Sequence, residues 1–167
     1  MEPTLLSGDY FIASLSNAAP KRKEIVVYRL LGQVYTKRVV GLPGDTLSMT
    51  NGILIVNGDS LAEPYAHHTG EESGTAPEFE WQRRFVTAIP PGLKYVPTLT
   101  YWGPIVIPSR KYFVLGDNRG MSADSRYTGF VDSTDIFARP RFVYFSKDRS
   151  SGRIRWSRIG HSFPDTL

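Results

Sequence analysis

Val34-Tyr35-Thr36-Lys37-Arg38-Val39-Val40, running straight into Gly41-Leu42-Pro43-Gly44-Asp45, is the stretch on which the reading of this 167-residue chain turns. Its β-branched and aromatic residues favour an extended strand, and the glycines around Leu42-Pro43 end it. Side chains alternate along a strand, so Tyr35, Lys37 and Val39 share one face while Thr36 and Arg38 take the other. Lys37 is thereby set between two apolar neighbours.

Working outward, similar short runs recur between turn residues. Residues 9–15 read as a first strand, and a charged turn at 21–23 leads into Ile25-Val26-Val27-Tyr28. Gly32-Gln33 reads as the turn into 34–40, and Asn51-Gly52 and Asn57-Gly58 bracket a strand at 53–56 with hairpin geometry. From Asp59 to about Trp102 the chain turns polar, carrying Glu63, Glu71, Glu72, Glu78 and Glu80, with pattern only at 84–89. Strand pattern resumes at 105–107, 111–115, 136–145 and 153–156, and helix is limited to pieces such as 122–127 or 133–137. The expectation is a mostly β fold: a core of 1–58 and 103–167 and a smaller inserted β lobe at 59–102, with little helix.

Composition bounds the function. With 41% hydrophobic residues the chain buries a real core, and 15 glycines and 12 prolines fit a sheet protein better than a helical one. Cysteine is absent, and no apolar run reaches the roughly 18 residues of a membrane span. The formal net charge is +4, from 20 cations against 16 anions. Arg139, Arg141, Lys147, Arg149, Arg153, Arg155 and Arg158 gather against the single acid Asp148, a stripe that suits anionic lipid, nucleic acid or ordinary solvated strand positions. Of these we expect the solvated reading and no nucleic-acid partner. His67-His68 with Glu63, Glu71 and Glu72 is a poor metal set, because adjacent histidines on a strand point apart. No phosphate-binding glycine loop is present, so neither metal nor cofactor is expected.

Lys37 is the residue that can carry chemistry. A free lysine titrates near about 10.4, too high for a base at neutral pH, and apolar burial lowers that value by penalising the ammonium form. A drop of about 3 units corresponds to roughly 4 kcal/mol, which a folded domain can sustain. The product is an amine able to take a proton from a serine hydroxyl. The alternative is a lysine that extends to solvent from a strand edge.

Two further strings accompany Lys37-Arg38-Val39-Val40-Gly41-Leu42-Pro43-Gly44-Asp45. One is Met1-Glu2-Pro3-Thr4-Leu5-Leu6-Ser7-Gly8-Asp9. The other is Gly116-Asp117-Asn118-Arg119-Gly120-Met121-Ser122-Ala123-Asp124-Ser125-Arg126 with Tyr127-Thr128-Gly129-Phe130-Val131. In order and spacing they resemble the motif boxes of the bacterial type I signal peptidases, or leader peptidases, membrane-anchored serine/lysine proteases. PKRKEIVVY at 20–28 and RWSRIG at 155–160 resemble two further boxes, so the likeness spans the chain except about 59–101.

The resemblance implies a signal-peptidase-like β-sheet core and removal of signal peptides from exported preproteins after an Ala-x-Ala-type site. It implies Lys37 as general base and Ser122 as the hydroxyl that orients its amine, although Ser-x-Asp also fits a helix cap. Asp124 and Arg126 correspond to an ion pair bracing the loop, and Asp117, Asn118 and Arg119 to its structural head. Gly120-Met121 replaces the family's usual Asp-Asn. Met1, Leu5, Phe11, Tyr35 and Thr36 correspond to the pockets that receive the peptide as an added strand, Leu5 and Phe11 equally suiting ordinary core.

The family's nucleophilic serine stands directly before the position of Met1, so the 167 residues by themselves are expected to be inactive; Ser7, Ser14 and Ser16 sit in no nucleophile motif. The implied location is the outer side of the bacterial cytoplasmic membrane, the given chain being a soluble fragment without the anchor. Phe79, Trp81, Phe85, Tyr101 and Trp102 are candidates for a surface that meets lipid, or for the interior of the lobe. Two other readings are a dedicated maturation peptidase of a conjugative pilus system and a catalytically dead relative that binds peptides.

Overall fold

The computed structural model describes residues 1–68, 77–87, 89 and 94–163. Its strands are β1 (Asp9–Leu15), β2 (Ile25–Leu30), β3 (Gln33–Gly41), β4 (Thr46–Thr50), β5 (Ile53–Val56), β6 (Asp59–Ser60), β7 (Trp102–Val106), β8 (Lys111–Leu115), β9 (Val131–Asp132) and β10 (Ile136–Ser146). The one α-helix among these residues, α1, is the single turn Ser125–Thr128. The fold is mostly β.

Three tight hairpins shape the first half. Thr50 pairs with Ile53 and Val56 with Asp59, so Asn51-Gly52 and Asn57-Gly58 are two-residue turns, each with both residues at positive φ. Leu30 pairs with Gln33, which places the β2–β3 turn at Leu31-Gly32 rather than Gly32-Gln33. A leucine in the left-handed region is unusual, and the periodicity of the sequence gives no sign of it.

The strands form two antiparallel sheets, one ordered β1-β10-β2-β3-β8-β9 and the other β6-β5-β4-β7. β3 and β8 are covered on both faces. Val40, Phe113 and Leu115 point into the cluster shared with the second sheet, among Leu47, Met49, Leu54, Trp102 and Ile105. Val39, Tyr112 and Val114 point the other way, against Val26, Tyr28, Val131 and Ile136. Burial of each such side chain is worth about 1.5–3 kcal/mol. A third cluster of Leu5, Ile25, Val143 and Phe163 seats the N-terminal segment on the sheet.

Two stretches depart from the strand pattern. Among the described residues of 84–89 there is no strand, only an isolated bridge from Val86 to Ile105. A 3-10 stretch, Pro77–Arg84, precedes them, with acids in its first turn and arginines in its last, as the peptide dipoles favour. Its buried residues Phe79 and Gln82 are three apart, hence on one face of a 3-10 turn. At 153–156 only Ile154 makes a bridge, to Lys147, and the chain then turns through Trp156–Arg158. The side chains of Arg155 and Arg158 reach back to the carbonyls of Ser7 and Thr4, so this segment follows the N-terminal loop instead of adding a strand.

Candidate active site

β3 delivers Lys37 to the sheet interior, opposite Val26 of β2. The Lys37 Nζ donates a 2.6 Å hydrogen bond to the Ser122 Oγ, and Ser122 is buried. Burial holds the Lys37 amine below its ordinary value; the carboxylate of Asp124 works against that, Arg126 reinforces it and Asp117 opposes it. Both carboxylates are already taken. Asp124 accepts from Arg126 Nε at 2.8 Å and Nη2 at 2.9 Å, and Asp117 accepts from Arg38 Nε at 2.8 Å and Nη2 at 2.7 Å. Among the described residues no carboxylate forms a salt bridge with Lys37, so these charges offset the cost of burial only in part.

The loop carrying Ser122 is held from several sides. The Asp124 Oδ2 accepts from the Gly116 amide, and the Ser125 Oγ accepts from the Val114 amide. Asp124 also caps α1 through the Arg126 amide. Gly116 is required by contact: a Cβ there would lie 2.1 Å from the Ser122 Oγ and 3.4 Å from the Lys37 Nζ. From the 77–84 turn, the Trp81 Nε1 donates to the Arg126 carbonyl at 2.8 Å, and Phe79 meets Tyr127 edge-on at 4.9 Å.

The N-terminal segment closes the site. The Met1 carbonyl accepts from the Leu5 amide, and Thr4 Oγ1 donates to Asp117. The Met1 amine is held below its ordinary value by burial and then by the Lys37 charge, which places the two nitrogens in electrostatic reach of each other. Met1 also lines a cleft of about 480 Å³, together with Glu2, Leu5, Ser7, Phe11, Thr36, Asn118 and Met121. Leu5 and Phe11 serve twice, in the core cluster and in the cleft wall. Tyr35 does not line this cleft; its ring stacks on Tyr28 at 5.7 Å and packs against the cluster of Val26 and Val39.

Residues of β3 and of the 116–126 loop, far apart in sequence, thus converge on one half-buried amine beside an open cleft. The family model of the signal peptidases, peptidase S26, matches residues 1–145. The chain belongs to this family. It is 35% identical over 150 residues to a signal peptidase I of Bacillus amyloliquefaciens, covering 87% of this chain and 71% of that protein. It is 32% identical over 151 residues to a signal peptidase IB of Staphylococcus aureus, covering 87% and 73%. A crystal structure of a signal peptidase I from Enterococcus faecalis V583 matches with a TM-score of 0.48 and 33% identity, over 72% of this chain and 96% of that one.

Several contacts had no counterpart in the reading of the sequence. Arg38 pairs with Asp117, which that reading treated only as loop scaffold, and Glu63 pairs with Arg119 through two hydrogen bonds of 2.8 and 2.6 Å. The basic stripe is dispersed: Arg139 is buried, and Arg155 and Arg158 bond inward. Of the five aromatic residues considered for a lipid surface, Phe79 and Trp102 are buried, Trp81 and Phe85 pack on the core, and Tyr101 is exposed. Glu71 and Glu72 lie outside the described residues, and among those described no three potential metal ligands converge.

Proposed function

We propose that this chain is the body of a serine endopeptidase that removes N-terminal signal peptides from preproteins, with Lys37 as its general base. The observation that carries the reading is the half-buried Lys37 amine, in no salt bridge, 2.6 Å from the Ser122 hydroxyl and within electrostatic reach of the Met1 nitrogen. A serine joined to that nitrogen brings its hydroxyl to the amine. Neutral Lys37 takes the hydroxyl proton as the Oγ attacks the scissile carbonyl, and the ammonium then returns the proton to the leaving amine. In the second half Lys37 deprotonates a water that attacks the acyl carbonyl, and the serine oxygen leaves with the proton. Ser122 occupies the place of the orienting third group, holding the amine by hydrogen bond so that its lone pair faces the nucleophile.

The cleft beside Met1 takes the residues before the cut as an extended strand, Leu5, Phe11 and Thr36 favouring small side chains of the Ala-x-Ala kind. In a chain carrying a serine directly before Met1, a peptide with such a leader is cleaved, and Lys37→Met abolishes cleavage; full activity in that variant would refute the mechanism.

The same proposal puts the site on the outer side of the cytoplasmic membrane, where exported chains emerge. No helix among the described residues is long and apolar enough to cross a membrane. Exposed Tyr10 and Ile12 on β1 and Phe142 and Tyr144 on β10 offer a lipid-facing patch. Replacing Ile12 and Phe142 by serine lowers binding to anionic liposomes; unchanged binding would remove the patch from this account.

A further inference from the structure

We propose that Glu63, with Tyr65, is a positioning residue that fixes Ser122 and Lys37 relative to each other by tying the 116–122 loop to β3. The inference rests on the roles proposed above for those two residues. Their 2.6 Å contact joins a strand to a loop, and its length is set by whatever holds that loop against that strand.

The 63–67 segment holds both. On the loop side, Glu63 grips the Arg119 guanidinium with both carboxylate oxygens, the pair being 8% and 3% exposed. Burial works against the Arg119 charge, but the hydrogen bonds it donates to Glu63, with the Glu63 charge, outweigh it and hold the guanidinium charged. Arg119 spends its remaining nitrogen on the Gly116 carbonyl at 3.1 Å, and its own carbonyl accepts from Arg126 at 2.6 Å. Gly116 is the residue packed directly against the Ser122 Oγ. Four residues on from Glu63, the backbone of His67 pairs with the loop: its amide donates to the Asp117 carbonyl and its carbonyl accepts from the Arg119 amide, both at 2.7 Å.

On the strand side, the Arg38 guanidinium lies 3.9 Å from the centroid of the Tyr65 ring, and the Tyr65 hydroxyl donates to the Glu63 Oε1 at 3.1 Å. Arg38 is the neighbour of Lys37 on β3. One segment from between the two halves of the site therefore touches the strand through Arg38 and the loop through Arg119. No other contact of Glu63 explains why a carboxylate is buried there beside an arginine, and a scaffold that needed only packing would be served by apolar residues.

The test is run in the chain that carries a serine before Met1. Glu63→Gln is expected to lower kcat per folded molecule about tenfold with KM nearly unchanged, because the cleft is untouched while the amine and its orienting hydroxyl drift. Arg119 is left without its counter-charge, so the acid limb of the kcat/KM profile moves to lower pH. Glu63→Asp, which keeps the charge on a shorter stem, falls between wild type and Glu63→Gln in kcat. Folded fraction is measured by circular dichroism at the assay temperature.

A purely structural role predicts less folded protein but an unchanged kcat and an unmoved pH limb, and that result would overturn the inference. If Glu63→Gln does not fold, Glu63→Asp decides alone: a lowered kcat at constant KM supports the role and a wild-type kcat refutes it. Lys37→Met is assayed alongside. Activity in that variant would bring down the functional reading, whereas an inactive Lys37→Met with wild-type turnover in Glu63→Gln would bring down this inference alone.

Discussion

The two faces of β3 receive neighbouring cations in opposite ways. On one, Arg38 meets Asp117 in a buried two-pronged pair, gives another hydrogen bond to the Lys23 carbonyl and lies over the Tyr65 ring. On the other, Lys37 meets a serine hydroxyl and apolar neighbours, and the carboxylates near it are already committed to arginines. Arginine remains charged under any burial, whereas lysine gives up its proton when desolvated. The strand thus uses the first as a brace, and in the proposed mechanism the second is the group that transfers the proton.

Breaking the reactive face gives the largest effect. Lys37→Met is expected to reduce cleavage by at least about a thousandfold while leaving stability equal or improved, since it removes a desolvated amine and not a paired one. Activity assay and urea denaturation on one preparation check both halves. Breaking the bracing face acts on the fold instead. Asp117→Asn leaves the buried Arg38 charge uncompensated and is expected to cost about 3–5 kcal/mol in denaturant unfolding.

Smaller changes sharpen the contrast. Ser122→Ala frees the Lys37 amine to rotate and is expected to lower kcat about tenfold to a hundredfold, with substrate binding little changed. The subtlest effect is on stability against pH. Because Lys37 titrates lower in the folded chain than its ordinary value of 10.5, the unfolded chain binds more protons between the two values. Stability therefore gains with rising pH across that window relative to Lys37→Met, in which this contribution is absent. Paired denaturation curves over a pH series measure the difference.

Much of the fold was legible because its signals are local. Asn51-Gly52 and Asn57-Gly58 demand their hairpins, and the apolar alternation of 34–40 writes out which neighbours share a face with Lys37. Leu31-Gly32 was not legible, since a leucine at positive φ is tolerated only when the paired strands on either side impose it. Lys37 and Ser122 could be named from the strand pattern and the motif boxes. The partners of Arg38 and Arg119 could not, because Asp117 is 79 positions from Arg38 and Glu63 is 56 from Arg119. Charge pairing at such separation leaves no periodicity in a single sequence. The arginines at 155 and 158 read as a surface stripe for the same reason: nothing near them shows that they turn inward to the N-terminal carbonyls.

The protonation of the Lys37 nitrogen can be read by titrating the lysine side chains of 13C-lysine-labelled protein by NMR. The resonance that disappears in Lys37→Met is predicted to titrate below the other lysines, with its proton lost before theirs as pH rises. A Lys37 resonance that titrates together with the exposed lysines would contradict the account.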